Sequence, residues 1–134
     1  MINVLTDTNV LIYGIDQKSE FNKAACDILN NKDNNLFVTT KNISEYFSVC
    51  TKLQIEKDVI WGFYNDIKEN MTILFPDTKS LAFFETLIKK YNPIGNQVYD
   101  IEIVSVMLAN KIKRIATFNE KDFKNIKEVE LLAQ

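Results

Sequence analysis

YDIEIVSVMLANKIKRIATFNEKDF, residues 99–123, changes its period halfway along. From Tyr99 to Ile112 apolar residues fall on nearly every side of a helix, so the spacing predicts a buried one. Residues 114–117, RIAT, then read as a short strand. The polar residues that follow turn away from its end. A buried helix feeding a short apolar strand is a unit from which mainly parallel sheets are built.

Working outward, the same alternation fills the chain. Short apolar strands are predicted at INVLT (2–6), LFVTT (36–40), TILF (72–75) and EVELL (128–132). Helices are predicted between them. DTNVLIYGID gives a brief one, and EFNKAACDILNN carries Phe21, Ala24, Ala25, Ile28 and Leu29 at helical spacing. KNISEYFSVCTKL sets Ile43, Tyr46, Phe47, Cys50 and Leu53 on one stripe. EKDVIWGFYNDIKEN and KSLAFFETLIKKY follow, and EKDFKNI forms a short helical turn. Strands of this length between helices predict an α/β fold with a mainly parallel sheet. With 134 residues, three glycines, two prolines and no repeat, the chain reads as one domain, 1–134.

Composition removes several function classes. The chain has no histidine, which excludes Ser-His-Asp and Cys-His catalysis and His-ligated zinc. The two cysteines, Cys26 and Cys50, have no CxxC spacing and sit in apolar helical patterns, as reduced core thiols do in a cytoplasmic protein. No apolar run approaches the ~20 residues that span a bilayer. Acids stand where an export signal would carry its basic region, so a cytoplasmic location is expected. The net charge of −2 is not that of a generally basic nucleic-acid binder.

In open α/β sheets, ligands bind beyond the carboxyl ends of the strands. The polar residues there are Asp7 after the first strand, Glu45 in the helix after the second, Asp100 at the start of the buried helix, and Asn119 and Asp122 after the fourth. Each acid also has a plain structural reading. Asp7 suits a helix N-cap, Asp100 a first-turn acid, and Glu45 a solvated helix face. Taken together, clustered carboxylates repel, and the set requires raised pKa values or a cation. Oxygen-only ligands suit Mg²⁺ or Mn²⁺, which polarise phosphodiesters and activate water.

LTDTNVLIY, ISEYFSV and YDIEIVSVMLANKIKRIATFNEKDF, in that order, resemble the PIN-domain nucleases, in particular the VapC-type toxins of prokaryotic toxin–antitoxin pairs. The resemblance covers essentially the whole chain. It implies a three-layer α/β/α sandwich around a parallel sheet of about five strands. It also implies Mg²⁺- or Mn²⁺-dependent endoribonuclease activity, an antitoxin partner that inserts an arginine among the acids, and a homodimer. Matched position by position, Asp7 and Asp100 would bind the metal directly. Glu45 would bind metal or position the attacking water. Asn9 and Thr117 would orient the site. Where many members carry a fourth acid this chain has Asn119, with Asp122 soon after as the candidate for that role. Glu102, where relatives often have a small or amide residue, reads best as an N-terminal helix acid.

RNA is a polyanion, so a local basic surface is expected. Residues 111–127 carry a net charge of +4, with Lys111, Lys113, Arg114, Lys121 and Lys124 as the candidate phosphate track. Tyr99 is the candidate for base stacking. Two other classes compete. One is a PIN-fold binding module without catalysis, motivated by Asn119. The other, a carboxylate phosphatase, lacks a DxDxT-like stretch after the first strand, where DTNVL stands.

Overall fold

A computed structural model describes residues 1–132. Its elements are β1 (Ile2–Thr6), α1 (Thr8–Ile15), α2 (Asn22–Asn30), β2 (Asn34–Thr39), α3 (Thr40–Lys52), α4 (Lys57–Asn70) and β3 (Thr72–Leu74). They continue with α5 (Thr78–Tyr91), α6 (Gln97–Ala109), β4 (Arg114–Ala116), a 3-10 turn (Glu120–Asp122) and β5 (Glu130–Leu131). The five strands form one sheet in the order β3-β2-β1-β4-β5, and every pairing is parallel.

Two layers of helices sandwich this sheet, and the strand alternation explains how. Side chains of successive strand residues point to opposite faces. Leu5, Phe37, Leu74 and Ile115 therefore pack with α5 and α6 in one core cluster. Val4, Leu36, Val38 and Ala116 face the other way, toward α1 to α4. The sheet is buried on both faces, as an all-parallel sheet requires.

The predicted helix over residues 99–112 is α6, shifted toward the N-terminus. Ile101, Ile103, Val104, Val106, Met107 and Ala109 are all buried, so the all-round apolar pattern reports its position correctly. It stops at Ala109 because Lys111 takes a left-handed φ of 61°, and the Ile112 N–H folds back to the Met107 carbonyl at 2.9 Å.

Local boundaries shifted where side chains compete for the backbone. β2 ends at Thr39 because that threonine caps α3: its hydroxyl accepts from the Asn42 N–H at 3.2 Å while Asn42 accepts from the Thr39 N–H at 2.9 Å. Thr40 is therefore helical. β5 is shorter than the predicted 128–132. Leu53 lies just past α3 and is exposed, so it does not extend the buried stripe. Phe21 precedes α2 and packs instead against Tyr13 and Phe118, with ring centroids 5.0 and 5.5 Å away. Cys26 and Cys50 are both free thiols, and Cys50 is buried in the core beside Tyr46. Among the described residues no helix is long and apolar enough to cross a membrane.

Candidate functional site

Strand order reverses at β1. From β1 the chain builds outward through β2 and β3, then returns to add β4 and β5 on the other side. Crevices open at such switch points because the connections on either side diverge to opposite faces. Here the β1 and β4 carboxyl ends deliver Asp7 and Thr117 side by side.

Asp7 is 8% exposed and is the N-cap of α1. Its Oδ1 accepts the Thr8 N–H at 2.8 Å. Its Oδ2 accepts the Thr117 hydroxyl at 2.8 Å and the Asn9 amide at 3.2 Å. Thr117 in turn accepts from Asn9 at 3.2 Å and from the Asn119 N–H at 3.0 Å, while the Asn9 carbonyl oxygen takes the Phe118 N–H at 3.0 Å. Asn9 and Thr117 thus tie the end of β1 to the loop after β4. Burial pushes Asp7 above the ordinary carboxylate range; the bonds from Thr117 and Thr8 oppose that, and repulsion from Glu45 and Asp122 adds to it.

A cleft of about 550 Å³ brings Asp7, Glu45, Asp100, Asn119 and Asp122 to one wall-to-wall surface, with Tyr13 at its rim. Asp100, in the first turn of α6, is pushed up to about 7 by burial, then by repulsion from Asp122, Asp7 and Glu45. Asp7 and Asp100 therefore both sense the other acids of the cleft. Among the described residues none of the four is in an ion pair. Nor do any three acidic or cysteine side chains stand near enough to form a ready ion-binding group. The donor chemistry still fits a hard divalent ion: the carboxylate donors are all oxygen and carry excess negative charge, and no lysine or arginine is among the described residues lining the cleft. A cavity of similar size, about 540 Å³, opens beside Gly14, Cys26 and Phe63, but none of the strand-end acids lines it.

The predicted helical turn after β4 is present. The Asp122 N–H bonds the Asn119 carbonyl at 3.0 Å, and both residues line the cleft. Glu102 lies elsewhere, against Pro76, Leu81 and Phe84, so it does not belong to the acidic cleft. Tyr99 is 47% exposed, with the Lys41 ammonium 4.0 Å from its ring centre.

The basic candidates divide. Lys111, Lys113 and Arg114 sit at the amino end of β4, beside Met1, Ile2 and Asn3, on the edge of the sheet opposite the acids. Arg114 pairs with Glu130 at 3.3 Å. β4 separates these three from the acidic cleft, running from the amino end of the sheet to its carboxyl end. Lys121 and Lys124 follow β4 and stay on the acidic side, where Lys121 shares a small cavity with Asp100 and Asp122.

Thr8 and Asn42 are the residues that the sequence reading missed. The Thr8 hydroxyl donates to Glu45 Oε1 at 3.0 Å. Asn42, fully buried, donates to that same hydroxyl at 3.1 Å. The capping spacing Thr39-x-x-Asn42 was a usable signal for a buried asparagine at this point.

Thr117→Val is expected to raise the Asp7 pKa further, since it deletes a donor to the charged form, and to cost about 1 kcal/mol of stability. Carboxyl titration by NMR and a denaturant melt check both; an unmoved Asp7 titration contradicts the assigned contact.

Fold and site together define an α/β/α protein with an oxygen-only acidic cleft over its sheet's switch point. The chain belongs to the PIN domain family, whose sequence profile matches residues 4–129. Solved structures with the same fold include VapBC2 from Rickettsia felis bound to a fragment of its promoter DNA, at 21% identity over 98% of each chain, TM-score 0.72. VapBC-1 from nontypeable Haemophilus influenzae aligns at 22% identity over 98% of this chain and 97% of that one, TM-score 0.67. VapC20 of Mycobacterium tuberculosis, a Sarcin-Ricin loop cleaving toxin, aligns at 11% identity over 95% and 98%, TM-score 0.72. A search of curated proteins returned no match.

Proposed function

We propose that this protein is a Mg²⁺- or Mn²⁺-dependent endoribonuclease and the toxin of a toxin–antitoxin pair. The observation that carries the reading is the cleft shared by Asp7, Glu45, Asp100 and Asp122, four acids from four separate segments, in which burial and repulsion from the other acids push Asp7 and Asp100 up. PIN-domain membership and the toxin structures sharing the fold support it.

In this reading Asp7, Glu45 and Asp100 hold the ion, and Asp122 acts through a water or at its margin. A divalent ion bound there supplies a polarised phosphodiester oxygen and a water of lowered pKa. The chain's own task is orientation. Thr117, Asn9 and the Thr8 N–H aim both oxygens of Asp7. Thr8, backed by Asn42, holds Glu45 by its Oε1, and Glu45 would bind the metal or position the attacking water. Lys121 and Lys124 draw in the RNA backbone, and Tyr99 offers a stacking face. The natural partner is an antitoxin that places an arginine among the acids, where a guanidinium binds carboxylates bidentately. A homodimer in the cytoplasm completes the proposal.

The test is cleavage of RNA with Mg²⁺ or Mn²⁺ by wild type, Asp7→Asn and Asp100→Asn. Equal activity in all three sinks the assignment. Asp122→Asn is expected to lose less activity than Asp100→Asn, because Asp122 is exposed on a turn rather than half-buried on a helix. Equal losses would make Asp122 a direct ligand.

Asn119 at the fourth position, with no preassembled group of acids among the described residues, favours one alternative: a PIN-fold binding module without catalysis. Calorimetry with Mn²⁺ separates the two, since undetectable binding supports the module.

A further inference from the structure

The Asp100–Asp122 wall of the acidic cleft has a second side. Behind it lies a cavity of about 220 Å³, lined by both acids together with Gln97, Lys121, Asn125 and the ring of Tyr91. It is smaller than the ~300–1,000 Å³ of pockets that take drug-sized ligands, and so suits one ring system rather than a whole nucleotide. Its walls mix the apolar residues Pro93, Ile101 and Ile126 with the amide residues Gln97 and Asn125.

Two features show that the cavity is preformed. The Tyr91 hydroxyl donates to Glu128 Oε1 at 2.5 Å and accepts the Lys127 N–H at 2.9 Å, which fixes the ring against the β5 approach. Gln97 Oε1 accepts the Ile94 N–H at 3.0 Å, so its Nε2 is the group left to donate to a ligand. A preformed site avoids the ordering cost of binding.

Charge selects the occupant. A phosphate in the cavity would face two carboxylates across from the single ammonium of Lys121. A neutral base meets no such opposition, and apolar walls with amide edges are what unstacked bases bind.

We propose that this cavity receives one unstacked nucleobase of a single-stranded RNA, adjacent to the phosphate held over the acids. Gln97 and Asn125 read its edge, Tyr91 and Pro93 bound its ring, and Lys121 holds the phosphate on the same nucleotide. The inference rests on the ribonuclease reading above and adds a sequence-determining subsite to it.

The test maps every cut made in a random-sequence, single-stranded RNA by wild type, Asn125→Leu and Gln97→Glu. Wild type is expected to prefer one base at one position beside the cut. Asn125→Leu should flatten that preference about 10-fold, and Gln97→Glu, which keeps the Oε acceptor for Ile94, should change which base is preferred. A second measurement, in EDTA, compares binding of an oligonucleotide bearing the preferred base with one abasic at that position. Wild type should lose about 10-fold in affinity and Asn125→Leu under about 2-fold. Asn125 is exposed, so its variant retains the fold. An unchanged preference in both variants, or an abasic penalty equal in wild type and variant, overturns the subsite and leaves the nuclease reading standing. A wild type that cuts none of the RNA brings down the nuclease reading and the subsite with it.

Discussion

Asp100→Asn is expected to reduce RNA cleavage by at least about 100-fold while making the metal-free protein more stable at neutral pH. The two effects share a cause. Burial, then Asp122, Asp7 and Glu45, push Asp100 up to about 7, against about 3.9 in an unfolded chain. A carboxyl whose folded pKa is raised binds its proton more tightly when folded. Its penalty is therefore absent below about pH 4 and grows as the pH rises toward 7. Metal-free wild type should lose stability across that window, with Asp7 adding in the same direction. Full conversion of the shift would give about 4 kcal/mol, but Asp100 is partly exposed and solvent screens it, leaving about 1–2 kcal/mol. Asparagine has no charge to penalise, so thermal melts of the variant should sit a few degrees above wild type at pH 8 and converge with it near pH 4. Adding Mn²⁺ should reverse the order, because only the wild type gains the stabilisation of ion binding. Parallel melts of wild type and variant at all pH values, with no response to Mn²⁺ in either, would refute the assignment of Asp100.

Phe123→Ala is expected to cost about 3–5 kcal/mol, a large share of the 5–15 kcal/mol that holds a typical domain folded. Phe123 is 1% exposed and packs in the cluster that joins Ile115, Ile126 and α6. It also ends the 3-10 turn, where its N–H bonds the Glu120 carbonyl at 3.0 Å. The residue before it is Asp122. Emptying the Phe123 site thus removes core volume and loosens the turn that presents Asp122 to the cleft. Denaturant melts should show the lower midpoint, and Phe123→Leu should recover about half of the loss. A midpoint within experimental error of wild type would mean that this turn is not anchored through Phe123.

The order of these elements was readable because burial leaves a local trace. The all-round apolar pattern of residues 101–109 marks a helix with no wet side, and the short apolar runs mark strands covered on both faces. Asp7, Asp100 and Asp122 stood out because each follows or opens such an element, and Glu45 because it lies in the first turns of the helix after the second strand; the cleft contains all four. Element ends were less legible. Thr39 can continue a strand or cap a helix, and only its exchange with Asn42 decides between them.

Position along the chain misled the reading where the sheet intervenes. Lys113 and Arg114 lie within a few residues of Thr117, yet β4 places them at the amino end of the sheet, away from the acids at its carboxyl end. Lys111 serves the backbone instead, in the left-handed turn that closes α6.

Periodicity and residue type, which are local along the chain, thus determined the fold class, the element order and the identity of the strand-end acids. Tertiary structure alone decided what each acid touches. Thr117 donates to Asp7 across 110 residues of sequence, and Asn42 reaches Thr8 across 34. Such pairs follow from β1 lying between β2 and β4, and no local pattern encodes that adjacency. The same packing turned the back of the Asp100–Asp122 wall into a cavity, since α6 and the turn after β4 meet only once the sheet has closed beneath them.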